Sequence, residues 1–310
     1  MERNFNRRTF ISKAGKTSGV AAIVASLGHR LAAEDAAASE AIQETGRTIK
    51  HSACRWCYGK FKLDDLCVAG KEFGLHSVEL VQPAQVETLK KHGMTCAIST
   101  NAKTKAADGK QVGGIGRGWN QLEYHDTLVE VYEKQIRDAA NAGLTNVICF
   151  SGNRRGMDDG VGMENCAKGI KRLMALCEKL GVTLSMELLN SKRDHRDYMC
   201  DRTQWGVDLC KMIGSDKFKL LYDIYHMQIM EGDVIATIKK HHEYISHYHT
   251  GGVPGRAEID DTQELHYPAI IKAILETGYE GYLGQEFIPR RKDHLASLRQ
   301  GVEICSVKVD

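Results

Sequence analysis

Four strand-like runs in the C-terminal half of this 310-residue chain are each followed at once by a carboxylate or an imidazole. Glu187 follows the run 182–186, Asp223 follows 218–222, His249 follows 244–248 and Glu286 follows 281–285. The gaps between them are 36, 26 and 37 residues. Eight strand–helix units in a closed parallel barrel occupy about 250 residues, or roughly 30 per unit. The spacing therefore reads as successive barrel units. In such a barrel, side chains at the C-terminal strand ends converge on one mouth, so these four would meet there.

The N-terminal half carries the same alternation. Runs at 49–53, 77–81, 95–99 and 146–151 read as strands, and 63–73, 84–92, 122–142 and 164–180 read as helices. Gly74, Gly93, Gly143 and Gly181 stand where those helices should stop. A last helix is expected over about 293–305. Eight strands alternating with helices predict an α/β fold, a (β/α)8 TIM barrel. The polar, glycine-rich segment 101–120 follows a strand directly, which suits a loop over the mouth, with a plain insertion as the alternative. Arg154 and Arg155 follow the fourth strand and are either contacts for an anionic substrate or solvated loop residues.

Ahead of the barrel, Arg7-Arg8-Thr9-Phe10-Ile11 lies in a basic stretch, followed by a mildly apolar run at 20–27 and small residues at 31–33. This resembles a twin-arginine signal peptide over 1–33, which implies export to the periplasm, with an ordinary basic leader and a cytoplasmic protein as the alternative. Residues 34–46 read as a flexible spacer and 47–310 as the barrel domain. The apolar run is too short for a membrane span, which needs about 20 apolar residues. Forty-two basic and 40 acidic residues are well mixed, giving a net charge of +2. No basic stripe favours nucleic acid, so a small-molecule partner is expected. The ten cysteines read mostly as core thiols. Cys54-Arg-Trp-Cys57 has the spacing of a metal or redox pair, but no second such pair exists, and local packing or a disulfide competes with that role.

A lone Glu at a strand end is usually a surface residue, and a lone His on a strand is usually packed in place. Four at consecutive strand ends demand more, because three neighbouring carboxylates without a cation would force one to protonate. A divalent metal ion resolves the repulsion. Oxygen donors with one nitrogen suit Mg or Mn, and Co or Zn would also bind. His226 stands three residues after Asp223, and the Pro254-Gly255 turn would aim Arg256 at a bound oxygen or carboxylate.

The segments MELLN (186–190), YDIYHMQIMEGD (222–233), HYHTGGVPGR (247–256) and GYEGYLGQEF (278–287) resemble the hydroxypyruvate isomerase family of xylose-isomerase-like barrels, relatives of the ketose 3-epimerases. The resemblance runs from about residue 48 to the end. It implies Glu187, Asp223, His249 and Glu286 as metal ligands, Glu187 and Glu286 as the acid–base pair, and His226 and Arg256 on substrate oxygens. It implies aldose–ketose isomerisation of a carbohydrate or hydroxy-keto acid through an enediolate, with hydroxypyruvate becoming 2-hydroxy-3-oxopropanoate, in a homodimer or homotetramer. His249 is the epimerase choice at its position, and a sugar 3-epimerase or isomerase is the alternative. Arg193 stands where epimerases use a carboxylate, which points to an anionic substrate. A DNA-repair nuclease on this barrel would need more metal ligands and a basic track, and a carbohydrate-binding barrel would have no use for two proton carriers.

Overall fold

The computed structural model describes residues 46–310. The expected signal peptide and spacer lie outside the described residues, Gly46 excepted. A two-residue strand β1 (Arg47–Thr48) pairs antiparallel with β11 (Lys308–Val309) and closes the back of the fold. The main sheet holds β2 (Lys50–Cys54), β3 (Leu75–Glu79), β6 (Asn146–Cys149), β7 (Thr183–Glu187), β8 (Phe218–Asp223), β9 (Ile245–Thr250) and β10 (Tyr282–Gln285). Its order is β3-β2-β10-β9-β8-β7-β6, with every neighbouring pair parallel. These strands are buried almost throughout, as expected of a parallel sheet covered by helices.

Eight strands were expected from sequence, and the main sheet holds seven, joined by six parallel ladders. The eighth stave is the segment 95–99, which enters between β3 and β6 through two isolated parallel bridges, Ser77 with Thr95 and Ser99 with Val147. Its ladder breaks at Ala97, whose N–H is taken by the Ser77 hydroxyl at 2.8 Å. On the facing strand, Leu80 turns the chain out at φ +56°. The stave nevertheless completes the (β/α)8 barrel.

The helices are α1 (Leu63–Glu72), α2 (Val86–Lys91), α3 (His125–Asn141), α4 (Asp159–Leu180), α5 (Thr203–Ile213), α6 (Ile224–Met230), α7 (Val234–His241), α8 (Tyr267–Glu276) and α9 (His294–Cys305). Helix α4 begins five residues before the expected start because Asp158 caps it, accepting from Gly160 N at 2.8 Å and Val161 N at 3.2 Å. Gly162 inside it lets Met199 approach; a Cβ there would lie 2.0 Å from the Met199 sulfur. The segment 101–120 folds into a small hairpin, β4 (Thr104–Lys105) against β5 (Gln111–Val112). No helix among the described residues is long and apolar enough to cross a membrane.

Candidate active site

Glu187 ends β7, Asp223 ends β8, His249 lies next to last on β9, and Glu286 follows β10 directly. Strand register sets His249 opposite Asp223 on one side and Gly284 on the other. All four residues are buried, and one ligand atom from each lies within 4.8 Å of the other three. His249 Nδ1 is 2.8 Å from Glu286 Oε2 and 3.4 Å from Glu187 Oε1. Yet Glu187 Oε1 and His249 Nδ1, with His226 Nε2 beside them, find no hydrogen-bond partner among the described residues. Buried polar atoms left without partners are costly, so their convergence is an argument for a group that fills them. Three carboxylates and one imidazole nitrogen fit a divalent cation.

The electrostatics differ from residue to residue. Burial, with the charge of Glu286, raises the proton affinity of Glu187, and burial raises that of Asp223 well above the usual carboxylate range. Burial acts in the same direction on Glu286, but His249 and Arg256 outweigh it and hold that carboxyl well below the range. The two glutamates are thus driven apart in proton affinity. Arg256 donates through Nη2 to Glu286 Oε2 at 2.6 Å and to Asp223 Oδ2 at 3.2 Å. Its guanidinium sits 5.2 Å from the Trp56 ring and 5.5 Å from the Tyr225 ring. Trp56 Nε1 donates to the other Glu286 oxygen at 2.8 Å. Asp223 uses Oδ1 to cap α6 at His226 N, 3.1 Å away, which leaves Oδ2 to the site.

His226 is fixed by Asn190. The Asn190 carbonyl oxygen accepts the backbone N–H of Arg193 and of Asp194, so its NH2 end faces His226 Nδ1 at 2.6 Å and Asp194 Oδ2 at 2.7 Å. Nδ1 is therefore an acceptor, and the ring proton resides on Nε2, which lies 3.6 Å from Asp223 Oδ2. Burial and the nearby Arg256 charge hold the imidazole neutral, well below its ordinary pKa. The same turn corrects the expectation for Arg193. With its N–H bound back to Asn190, its side chain is exposed, and His195 from the next turn lines the cavity instead.

A cavity of about 430 Å³ opens onto Glu187 and Glu286, with Asp223, His249 and His226 buried behind its lining. Trp56, Leu80, Phe150, Leu189 and His195 line it with Glu187, Glu286 and Arg256, and Asn101, Lys103 and Ile115 bring the 101–120 segment over the mouth. Arg154 is tied to Asp159 and Asp201 at 2.6 and 2.9 Å, and Arg155 reaches Gly116 O; neither lines the cavity. Cys54 and Cys57 are buried free thiols, as are the other eight cysteines.

The sequence did not single out Trp56, Asn190, His195 or Glu79. Glu79 ends β3, fully buried beneath His249. Gly284 gives it room, since a Cβ there would lie 2.3 Å from Glu79 Oε1 and 2.7 Å from His249 Cδ2. Gly284→Ala is expected to cost about 1–3 kcal/mol through overpacking, visible as a lowered thermal midpoint. An unchanged midpoint would show that the contact relaxes freely.

Residues 71–305 match the family model of the xylose isomerase-like TIM barrel. The chain belongs to that family. Among curated relatives, it is 39% identical over 110 residues to 2-oxo-tetronate isomerase of Cupriavidus necator, covering 36% of this chain and 42% of that one. It is 34% identical over 88 residues to hydroxypyruvate isomerase of Escherichia coli, covering 28% and 34%. The match thus spans less than half the length of either relative. Among solved structures, a family 2 AP endonuclease of Brucella melitensis superposes with a TM-score of 0.69 at 24% identity, covering 81% of this chain and 97% of that one. That likeness speaks for the fold alone.

Proposed function

We propose that this protein is a metal-dependent ketol isomerase acting on small hydroxy-keto acids, interconverting hydroxypyruvate and 2-hydroxy-3-oxopropanoate or the corresponding four-carbon 2-oxo acid. The observation that carries this is the pair Glu187 and Glu286, buried on separate strand ends and facing one cavity. Glu187, Asp223, His249 and Glu286 would hold the divalent ion, which supplies Lewis acidity to adjacent substrate oxygens when bound. Magnesium or manganese suits this oxygen-rich donor set.

The chain's own residues carry the protons. One glutamate removes the proton from the carbon bearing the hydroxyl, and the same or the opposite glutamate returns a proton to the former carbonyl carbon. The hydroxyl hydrogen passes to the other oxygen, so composition is unchanged. Neutral His226 presents its Nε2–H where charge develops on oxygen, and Trp56 and Tyr225 hold Arg256 beside the reacting atoms.

Asn190→Asp would replace the amide donor with an acceptor and draw the His226 proton to Nδ1. We expect a fall of about 100-fold in kcat/KM, the order of one lost transition-state donor, with metal affinity retained. A wild-type kcat/KM would remove His226 from the reaction. A cavity of 430 Å³ is roomy for a three-carbon acid, which keeps sugar isomerisation or 3-epimerisation as the second reading. Proton NMR in D2O separates them, with the purified Mg-loaded protein offered hydroxypyruvate, 2-oxo-tetronate and ketoses. Metal-dependent conversion of the acids with deuterium uptake supports the proposal; exchange into ketoses alone supports epimerisation, and silence on all overturns both.

The Arg7-Arg8 leader makes this a periplasmic activity in our proposal. Arg7→Lys with Arg8→Lys is expected to retain the protein in the cytoplasm, and undiminished periplasmic recovery would refute twin-arginine export.

A further inference from the structure

Beneath the four-residue group lies a second polar cluster that the proposed chemistry does not use. Three donors converge on one oxygen of Glu79. His249 Nε2 lies 2.7 Å from Oε1, His247 Nε2 2.9 Å and the Cys54 thiol 3.4 Å. Glu79 is fully buried, and these donors satisfy its Oε1 while Oε2 finds no partner among the described residues. The cluster spans β2, β3 and β9, and the absence of a side chain at Gly284 on β10 makes space for it. This is no accident of a surface carboxylate.

The consequence falls on His249. Nε2 faces the Glu79 carboxylate at 2.7 Å, an approach that needs the ring hydrogen between them, so with a cation held at Glu187 and Glu286 it is Nδ1 that would offer its lone pair. A carboxylate behind a histidine ligand fixes tautomer and ring orientation and raises basicity. We infer that Glu79 is a positioning residue that holds His249 in its metal-binding tautomer from behind. The inference rests on the metal reading given above. The competing use of the same atoms is a second metal ion on Cys54, Glu79 and His249, which also stand within 4.8 Å of one another. That use would strip His249 of the Nε2 hydrogen while Nδ1 serves the first site, so one ion per chain is the expected count.

The test compares metal-stripped full-length wild type, Glu79→Gln and Glu79→Asp, with free Mn(II) followed by electron paramagnetic resonance and the Co(II) forms by visible absorption. Wild type should bind one Mn(II) per chain. Glu79→Gln should bind 10–100-fold more weakly with a shifted Co(II) spectrum, and Glu79→Asp should fall between, carrying the test should the glutamine variant not fold. Wild-type affinity and spectrum in the variants, with only the metal-free melting temperature lowered, would reduce Glu79 to packing and overturn the inference. Two ions per wild-type chain, one lost in Cys54→Ser, would overturn it in favour of the second site. Failure of wild type to bind either metal would bring down the site reading, and the inference with it.

Discussion

Glu187→Gln is expected to cut deuterium incorporation into substrate by about 10³-fold while leaving substrate binding within a few-fold of wild type. Glutamine keeps the volume and one oxygen of the glutamate but cannot carry a proton. The neighbouring contacts survive the change. Arg256, Trp56 and Asp223 bind one another or Glu286 rather than Glu187, so the cavity should keep its shape. Assays belong at saturating metal with metal content measured, since Glu187 is also a proposed ligand. Exchange at the wild-type rate with metal bound would end the acid–base assignment. A parallel loss of binding and exchange would instead mark Glu187 as a structural ligand alone.

Removal of divalent metal should have the second large effect. Three buried carboxylates share one site with Arg256 and His249, and Glu187 Oε1 and His249 Nδ1 have no partner among the described residues. A chelator is expected to abolish turnover and readded Mg or Mn to restore it. An ion at about 100 times its Kd stabilises the native state by about 2.7 kcal/mol. For a domain of this size that corresponds to a thermal midpoint higher by about 5–10 °C. Chelated protein with full turnover and an unchanged midpoint would remove the metal from the mechanism.

The alternation of strands with glycine-stopped helices made the barrel legible, and strand-end position made the four-residue group legible. Both rest on periodicity and chain order. What escaped had local causes. The start of α4 was hidden because Gly160 and Gly162 look like loop, whereas Asp158 caps the helix and Met199 fills the space above Gly162. Glu79 stood in the middle of the expected strand 77–81. The true strand stops at Glu79 because Leu80 turns away at φ +56°, and this places the carboxylate at the mouth-side end. The resemblance sets Arg193 where epimerases use a carboxylate, whereas in this turn Asn190 accepts the N–H of Arg193 and Asp194 and it is His195 that lines the cavity. Trp56 lay between two cysteines whose spacing drew the attention.

The stave 95–99 joins its neighbours through two isolated bridges where the other strands form ladders, and the segment that overhangs the cavity springs directly from it. The six ladders that join the other seven strands keep their pairing when one weak seam breathes, so the entrance can widen along that side at little expense to the rest. The four proposed ligands stand at the ends of β7 to β10, none of which borders the seam. A molecule can then be admitted and released through a yielding wall while the atoms that would act on it stay fixed.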